Sequence, residues 1–229
     1  MDLITIIDGA RALLNEPLDA TRTFPDNTSS FYTDAVLRTY VNMIQDELVS
    51  VINQADELYF VTQSYLNIVG GTAEYAIPSG CITLKRVEDN RDPVRPSEIL
   101  PTGLNQREIQ NRFIDASGAI SINNYYLRGN QIILTDTPTF TNASAVRLHW
   151  VRKLGDLSAG SETSEIPVEH HRLLIWGCVR TAIIQQQGDN PEVTREYLQG
   201  KKDLTVYVES RQKQRSRSVR RVKTQGDRL

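Results

Sequence analysis

Thr33-Asp34-Ala35-Val36-Leu37-Arg38-Thr39-Tyr40-Val41-Asn42-Met43-Ile44-Gln45-Asp46-Glu47-Leu48-Val49-Ser50-Val51-Ile52-Asn53-Gln54-Ala55-Asp56-Glu57-Leu58-Tyr59-Phe60-Val61-Thr62 is the stretch in which one periodicity gives way to another. Val36, Leu37, Val41, Ile44, Leu48, Val51, Ile52 and Ala55 recur at three- and four-residue spacing, the mark of an amphipathic helix over about 33–58. Thr33 or Asp34 supplies a side-chain oxygen to cap its first amides. Asp34, Arg38, Asn42, Gln45, Asp46 and Glu47 take much of the opposite side. From residue 59 β-formers dominate, first in Phe60-Val61-Thr62 and then in Tyr65-Leu66-Asn67-Ile68-Val69, with a turn at Gly70-Gly71.

Upstream, Leu3, Ile6, Ile7, Ala10, Leu13 and Leu14 predict a short helix over 2–14 that ends before Pro17. Residues 18–31 read as a polar loop. Downstream, Tyr75-Ala76-Ile77-Pro78 is extended and Ile82 to Val87 alternates. Residues 88–118 are mixed, interrupted by Pro93, Pro96 and Pro101, with a short helix near 103–112. Ile120–Leu127 and Gln131–Thr135 flank Arg128-Gly129-Asn130, a hairpin signal. Val146 to Arg152 alternates again. Residues 60–152 therefore read as a β-rich module of about six strands.

After a polar connector at 153–165, Leu173, Leu174, Trp176, Val179, Ala182 and Ile183 mark a helix over 168–187, stopped by Gly188-Asp189. Asn190-Pro191-Glu192 starts the last helix with an N-cap, a proline where no amide is needed, and an acid near the positive helix end. It runs to about Ser210, with Val193, Tyr197, Leu204 and Val208 inward. The expected fold class is α+β: a small antiparallel helical bundle from both chain ends, an inserted β-rich module and an extended basic C-terminal tail. The expected divisions are 1–59 (N-terminal helices of the bundle), 60–152 (inserted module), 153–210 (connector and C-terminal helices) and 211–229 (basic arm).

The chain has 229 residues and a net charge of −2 that hides an asymmetry. Arg211, Lys213, Arg215, Arg217, Arg220, Arg221, Lys223 and Arg228 face only Asp227, which makes the last nineteen residues +7 and the rest −9. Such a tail has few apolar residues, which predicts that it stays unordered until something receives it. Three readings follow: a solvated terminus, a docking arm that orders against carboxylates of a partner, or a sequence-independent contact to DNA phosphates. The tail lacks interleaved aromatics that would stack on bases.

Signals for chemistry are missing. His170 and His171 are adjacent, so on a helix they diverge and do not form an i, i+4 metal pair; His149 lies in an alternating strand as a structural residue. Cys81 and Cys178 read as small apolar residues. The chain has no Walker loop, dinucleotide fingerprint, Gly-x-Ser-x-Gly or HExxH motif. The expectation is no enzyme, no cofactor and no metal. No apolar run is long enough to cross a bilayer, and the N-terminus lacks a signal-peptide pattern, so no membrane partner and assembly in the host cytoplasm are expected.

Several segments together resemble the head-to-tail adaptor, or head-completion, proteins of tailed bacteriophages, over roughly residues 30–208. They are Tyr32-Thr33-Asp34-Ala35-Val36-Leu37-Arg38-Thr39-Tyr40-Val41-Asn42; Tyr75-Ala76-Ile77-Pro78 followed by Leu84-Lys85-Arg86-Val87; Tyr126-Leu127-Arg128-Gly129-Asn130-Gln131-Ile132-Ile133-Leu134-Thr135 with Pro138; and Leu148-His149-Trp150-Val151, Glu165-Ile166-Pro167 and Gly188-Asp189-Asn190-Pro191. The resemblance implies a structural virion protein in the neck, a ring of twelve copies joining portal protein to a tail or nozzle protein. It also implies that double-stranded DNA passes through the lumen without specific recognition, and that the C-terminal segment reaches the portal. The eight basic residues listed above are then the portal-docking arm. The alternative is a sequence-independent nucleic-acid-binding or genome-packaging accessory protein that uses the same tail.

Overall fold

A computed structural model describes residues 1–16, 31–102, 122, 124–186, 188 and 190–226, with side chains up to Gln214 in the last helix. The chain divides into two compact units, residues Met1–Tyr59 with Leu154–Leu229, and residues Phe60–Lys153.

The first unit is helical. It contains α1 (Leu3–Leu13), α2 (Asp34–Ala55), a short 3-10 turn (Val168–His170), α3 (Arg172–Gln185) and α4 (Pro191–Gly226). α1, α2 and α4 all pack on α3, and α2 also meets α1 and α4. The caps are local. Thr33 Oγ1 accepts from Val36 N at 3.3 Å, and Asn190 Oδ1 accepts from Glu192 N and Val193 N at 3.1 and 3.3 Å, satisfying amides that have no partner inside the helix. Leu37, Val41, Ile44, Leu48 and Ile52 of α2 are buried, as are Leu173, Leu174, Val179 and Ala182 of α3. Gly177 is required where the helices meet: a Cβ there would lie 2.6 Å from Ile44 Cγ2 and 3.0 Å from Tyr197 Cε2.

The second unit is a seven-stranded mixed sheet, nearly closed in the manner of a barrel. Its strands are β1 (Val61–Ile68), β2 (Glu74–Ala76), β3 (Cys81–Asp89), β4 (Ser97–Pro101), β5 (Asn124–Arg128), β6 (Gln131–Leu134) and β7 (Asn142–Arg152), in the order β1-β7-β3-β4-β5-β6-β2. All neighbours are antiparallel except β4 and β5, which pair in parallel through Leu100↔Asn124 and Pro101↔Tyr125. The hairpin between β5 and β6 turns on Gly129, whose φ of +56° lies in the left-handed region that glycine adopts without a Cβ clash. One face builds a core from Ile68, Val87, Ile99, Tyr125, Ile132, Leu134, Val146, Leu148 and Trp150. The Trp150 indole N–H donates to Ser64 Oγ at 3.0 Å.

Two expectations need correction. A small helical bundle carrying an insertion is not what forms: four helices accompany a seven-stranded, nearly closed mixed sheet with a core of its own. Alternation along each strand tells which face is buried, but it does not tell which strands are neighbours. It also missed β4, whose five residues sit between Pro96 and Thr102 in a stretch read as irregular. The basic tail is not an extended segment either, since α4 continues through it as helix to Gly226. Arg, Lys and Gln are good helix formers, and this stretch follows a helix already nucleated at Asn190 and packed to Val208, so only propagation is required. The loop read at 18–31 (apart from Phe31), the short helix near 103–112, Asp189 and Arg228 lie outside the described residues.

Candidate assembly surface

α4 is 36 residues long, about 54 Å at the rise of an α-helix. Val193, Tyr197, Leu204 and Val208 are its buried positions, at spacings of four, seven and four. Tyr197 is fully buried, which drives its hydroxyl pKa far above the ordinary tyrosine value. Beside it Lys201 Nζ sits 2.6 Å from Glu47 Oε1 of α2. Burial opposes the Glu47 carboxylate, but hydrogen bonds from Lys201 and Tyr197 and the charges of Lys201 and Arg180 together outweigh it and hold its pKa below the usual range.

Val208 is the last buried residue among the α4 side chains described. From Glu209 to Gly226 the helix continues for another eighteen residues, about 27 Å. Residues 211–226 carry seven cations and no acid. Arg211 Nη1 lies 3.3 Å from the Tyr207 hydroxyl and 3.5 Å from that of Tyr59, and Lys213 Nζ is 3.8 Å from Glu209. Both side chains are exposed. Arg215, Arg217, Arg220, Arg221 and Lys223 follow on the same helical backbone. The eight residues read as one arm thus begin as a continuous helix, with Arg228 outside the described part.

Sequence reasoning missed the anchor of α1. Arg11 is completely buried. Its guanidinium donates to Glu16 Oε2 at 2.7 Å, Asp34 Oδ1 at 2.7 Å and the Tyr32 carbonyl at 2.6 Å, while Tyr32 N donates to Glu16 Oε1 at 3.0 Å. The Tyr32 hydroxyl in turn donates to the Ala182 carbonyl of α3 at 2.6 Å. One fork-shaped donor therefore ties α1 to the start of α2, a geometry that suits arginine better than lysine. An arginine on a helix reads as part of the polar face, and Asp34 reads as a cap. Only their spacing to Glu16 could have hinted at a pair.

The sheet unit holds a buried charge of the opposite sign. Glu88, with a side chain 5% exposed, is surrounded by Arg86 Nε at 3.1 Å, His149 Nε2 at 3.1 Å and Arg147 Nη1 at 3.5 Å. Cross-strand register brings them together: Glu88 faces Arg147, and Arg86 faces His149. His149 thus serves a carboxylate. His171 is buried, its Nε2–H donating to the Ile166 carbonyl at 2.7 Å and its Nδ1 3.0 Å from the Met1 amine. His170 packs edge-on against Tyr207 with ring centroids 5.0 Å apart. Burial pushes both imidazoles below the usual histidine range. Cys178 is fully buried and its thiol is pushed up to about 12, whereas Cys81 is half-buried. Among the described residues no group of three or more His, Cys, Asp or Glu is placed to hold a metal ion, and no helix is long and apolar enough to cross a membrane.

The helical unit ends in a long cationic helix, and in the sheet unit the buried Glu88 is paired with Arg86, Arg147 and His149. A family model described as SU10 adaptor protein matches residues 1–223. The chain belongs to the SU10 adaptor protein family. The match takes in α1, both units and the helical cationic stretch through Lys223. None of the curated proteins matches the chain. As a member of a phage adaptor family, the chain is a structural virion component, and its membership accords with a protein that does no catalysis.

Proposed function

We propose that the protein is a head-to-tail adaptor: one subunit of a ring in the virion neck that joins the portal protein to the tail or nozzle and encloses the path of the double-stranded DNA. The observation that supports this most is the second half of α4. Its residues 211–226 form a preformed helix bearing seven cations without an acid, attached to a body that carries the opposite net charge. A helix already formed loses less conformational entropy on docking than a coil. Its arginines suit bidentate contact with carboxylates. Arg211, Lys213, Arg215, Arg217, Arg220, Arg221, Lys223 and Arg228 are the proposed portal-docking arm.

The remainder of the chain, net −9, suits a wall past which DNA slides, since phosphates are not gripped there. The test is mass measurement of the chain alone and with purified portal. A closed ring of about twelve copies on the portal is expected, and a chain that stays unassembled in the portal's presence overturns the reading. A DNA shift assay over a salt series separates the nucleic-acid alternative. Affinity for DNA that matches the affinity for portal, and that falls steeply with salt, would favour that alternative instead.

A further inference from the structure

Charge is sorted between the two units. Without residues 211–229, the helical unit holds nineteen acids and eight bases, a net −11, whereas the sheet unit holds eight acids and ten bases, a net +2. The acidity of the body therefore belongs to the helical unit, and the +7 arm is attached to that same unit. The arm does not lie back on it. α4 is one unbroken helix from Pro191 to Gly226, so the stretch after Arg211, which meets Tyr59 and Tyr207, runs on in line with the packed half. From Lys213 to Gly226 that is about 20 Å with no joint at which to turn. Residues 17–30 and 103–121, outside the described part, do not supply the missing countercharge wherever they lie. The first segment carries Asp19, Arg22 and Asp26, a net −1, and the second carries Arg107, Glu108, Arg112 and Asp115, a net zero.

The cations of the arm do not share one side of the helix. At about 100° per residue, positions 211, 215, 219 and 222 fall in line with the buried Val193, Tyr197, Leu204 and Val208. That line carries Arg211 and Arg215 together with Val219 and Val222. Positions 213, 217 and 220 fall on the opposite line, which carries Lys213, Arg217 and Arg220 and no apolar residue. Arg221 and Lys223 lie between the two. A helix laid against one surface buries one side. The line with Val219 and Val222 combines charge with apolar anchors, as a helix seated in a groove requires. The opposite line has charge alone, and a second acidic surface is what would use it.

We infer that the Lys213–Arg217–Arg220 side of the arm is received by the acidic helical unit of the neighbouring copy, while the Val219–Val222 side is left to the portal. This rests on the ring and portal reading above. Charge complementarity selects the occupant: the helical unit of a second copy, at −11, attracts the arm, the sheet unit at +2 offers no net attraction, and a second arm at +7 repels it. Arm and helical unit are different patches of one chain, so the contact is head-to-tail and builds a ring when the rotation between copies closes. Ionic links of this kind are hydrated and screened by salt. They would set the order of copies around the ring and couple their binding, with the portal side supplying the larger share of affinity.

Occupancy of purified portal by the full chain, read by native mass spectrometry, tests the inference. Wild type is expected to fill the portal cooperatively, leaving bare and fully occupied portals with few between. A chain carrying Lys213→Gln, Arg217→Gln and Arg220→Gln together is expected to bind its first copy within about fivefold of wild type, since exposed, screened charges are removed, and to fill the remaining sites independently. Lys213→Arg, Arg217→Lys and Arg220→Lys together keep the charge and should fill as wild type does. In rings assembled from equal amounts of heavy-isotope and ordinary chain, carbodiimide coupling should join Lys213 to carboxylates of the helical unit in mixed-label pairs. Independent filling by wild type, unaltered cooperativity in the glutamine variant, or coupling confined to single-label pairs overturns the neighbour contact and leaves portal docking standing. Loss of first-copy binding in the glutamine variant would put this side of the arm on the portal and overturn the inference as well. Failure of the wild-type chain to bind portal overturns both readings.

Discussion

The two halves of α4 obey different rules. Pro191 to Val208 is fixed by its neighbours: Val193, Tyr197, Leu204 and Val208 are buried and Lys201 is bonded to Glu47. Glu209 to Gly226 shares the same backbone, but its sequence is cationic, and Arg211 and Lys213 are exposed. One half is read in the stability of the helical unit, and the other is to be read in binding. On the proposed docking role, one continuous helix would pass orientation from its packed half to its cationic half without a flexible joint.

The comparison breaks most readily at Tyr197. Replacing this fully buried side chain with alanine is expected to cost about 3–5 kcal/mol, visible as a large drop in thermal or urea midpoint. A loss under 1 kcal/mol would mean that the first half of α4 is not held by its packing. Gly200→Val should be next. A Cβ at Gly200 would lie 2.3 Å from Leu173 Cδ2. Because that neighbour is the end of a flexible side chain, the expected loss is about 1–3 kcal/mol, in the range for overpacking.

A pH series sharpens the picture within the same unit. His170 and His171 both have pKa values lowered by burial, so the unfolded chain binds protons before the folded one does. Stability from these groups is therefore fully present above the ordinary histidine value of 6.5 and declines as pH falls below it. Thermal melts between pH 7.5 and 5.5 should show that fall. His171→Gln should flatten it, and an unchanged slope would assign the effect elsewhere. Lys201→Ala is expected to have the smallest cost, about 0.5–1 kcal/mol, because its ion pair with Glu47 is partly exposed and screened.

How much of this was legible beforehand differs along the chain. The inward set of α4, its Asn190 cap and the Thr33 cap of α2 could be read directly, because each depends on residues within one or two turns. The hairpin at Gly129 was legible for the same reason. Arg11 was not, since its partners Glu16, Tyr32 and Asp34 converge only after the chain folds back. The sheet order was not, because strand pairing is a long-range choice that period-two alternation leaves open. The helical state of the arm was obscured by composition, which predicts whether a segment buries apolar surface, not whether it continues a helix that its neighbour has started.

The most direct measurement is portal capture by the full chain and by a chain ending at Ser210, each checked for unfolding in the same buffer. Removal of the last nineteen residues is expected to leave the unfolding midpoint nearly unchanged and to reduce portal binding at least a hundredfold, with wild-type binding weakened by added salt. Equal capture by the two chains would contradict the assignment of the second half of α4 as the docking element.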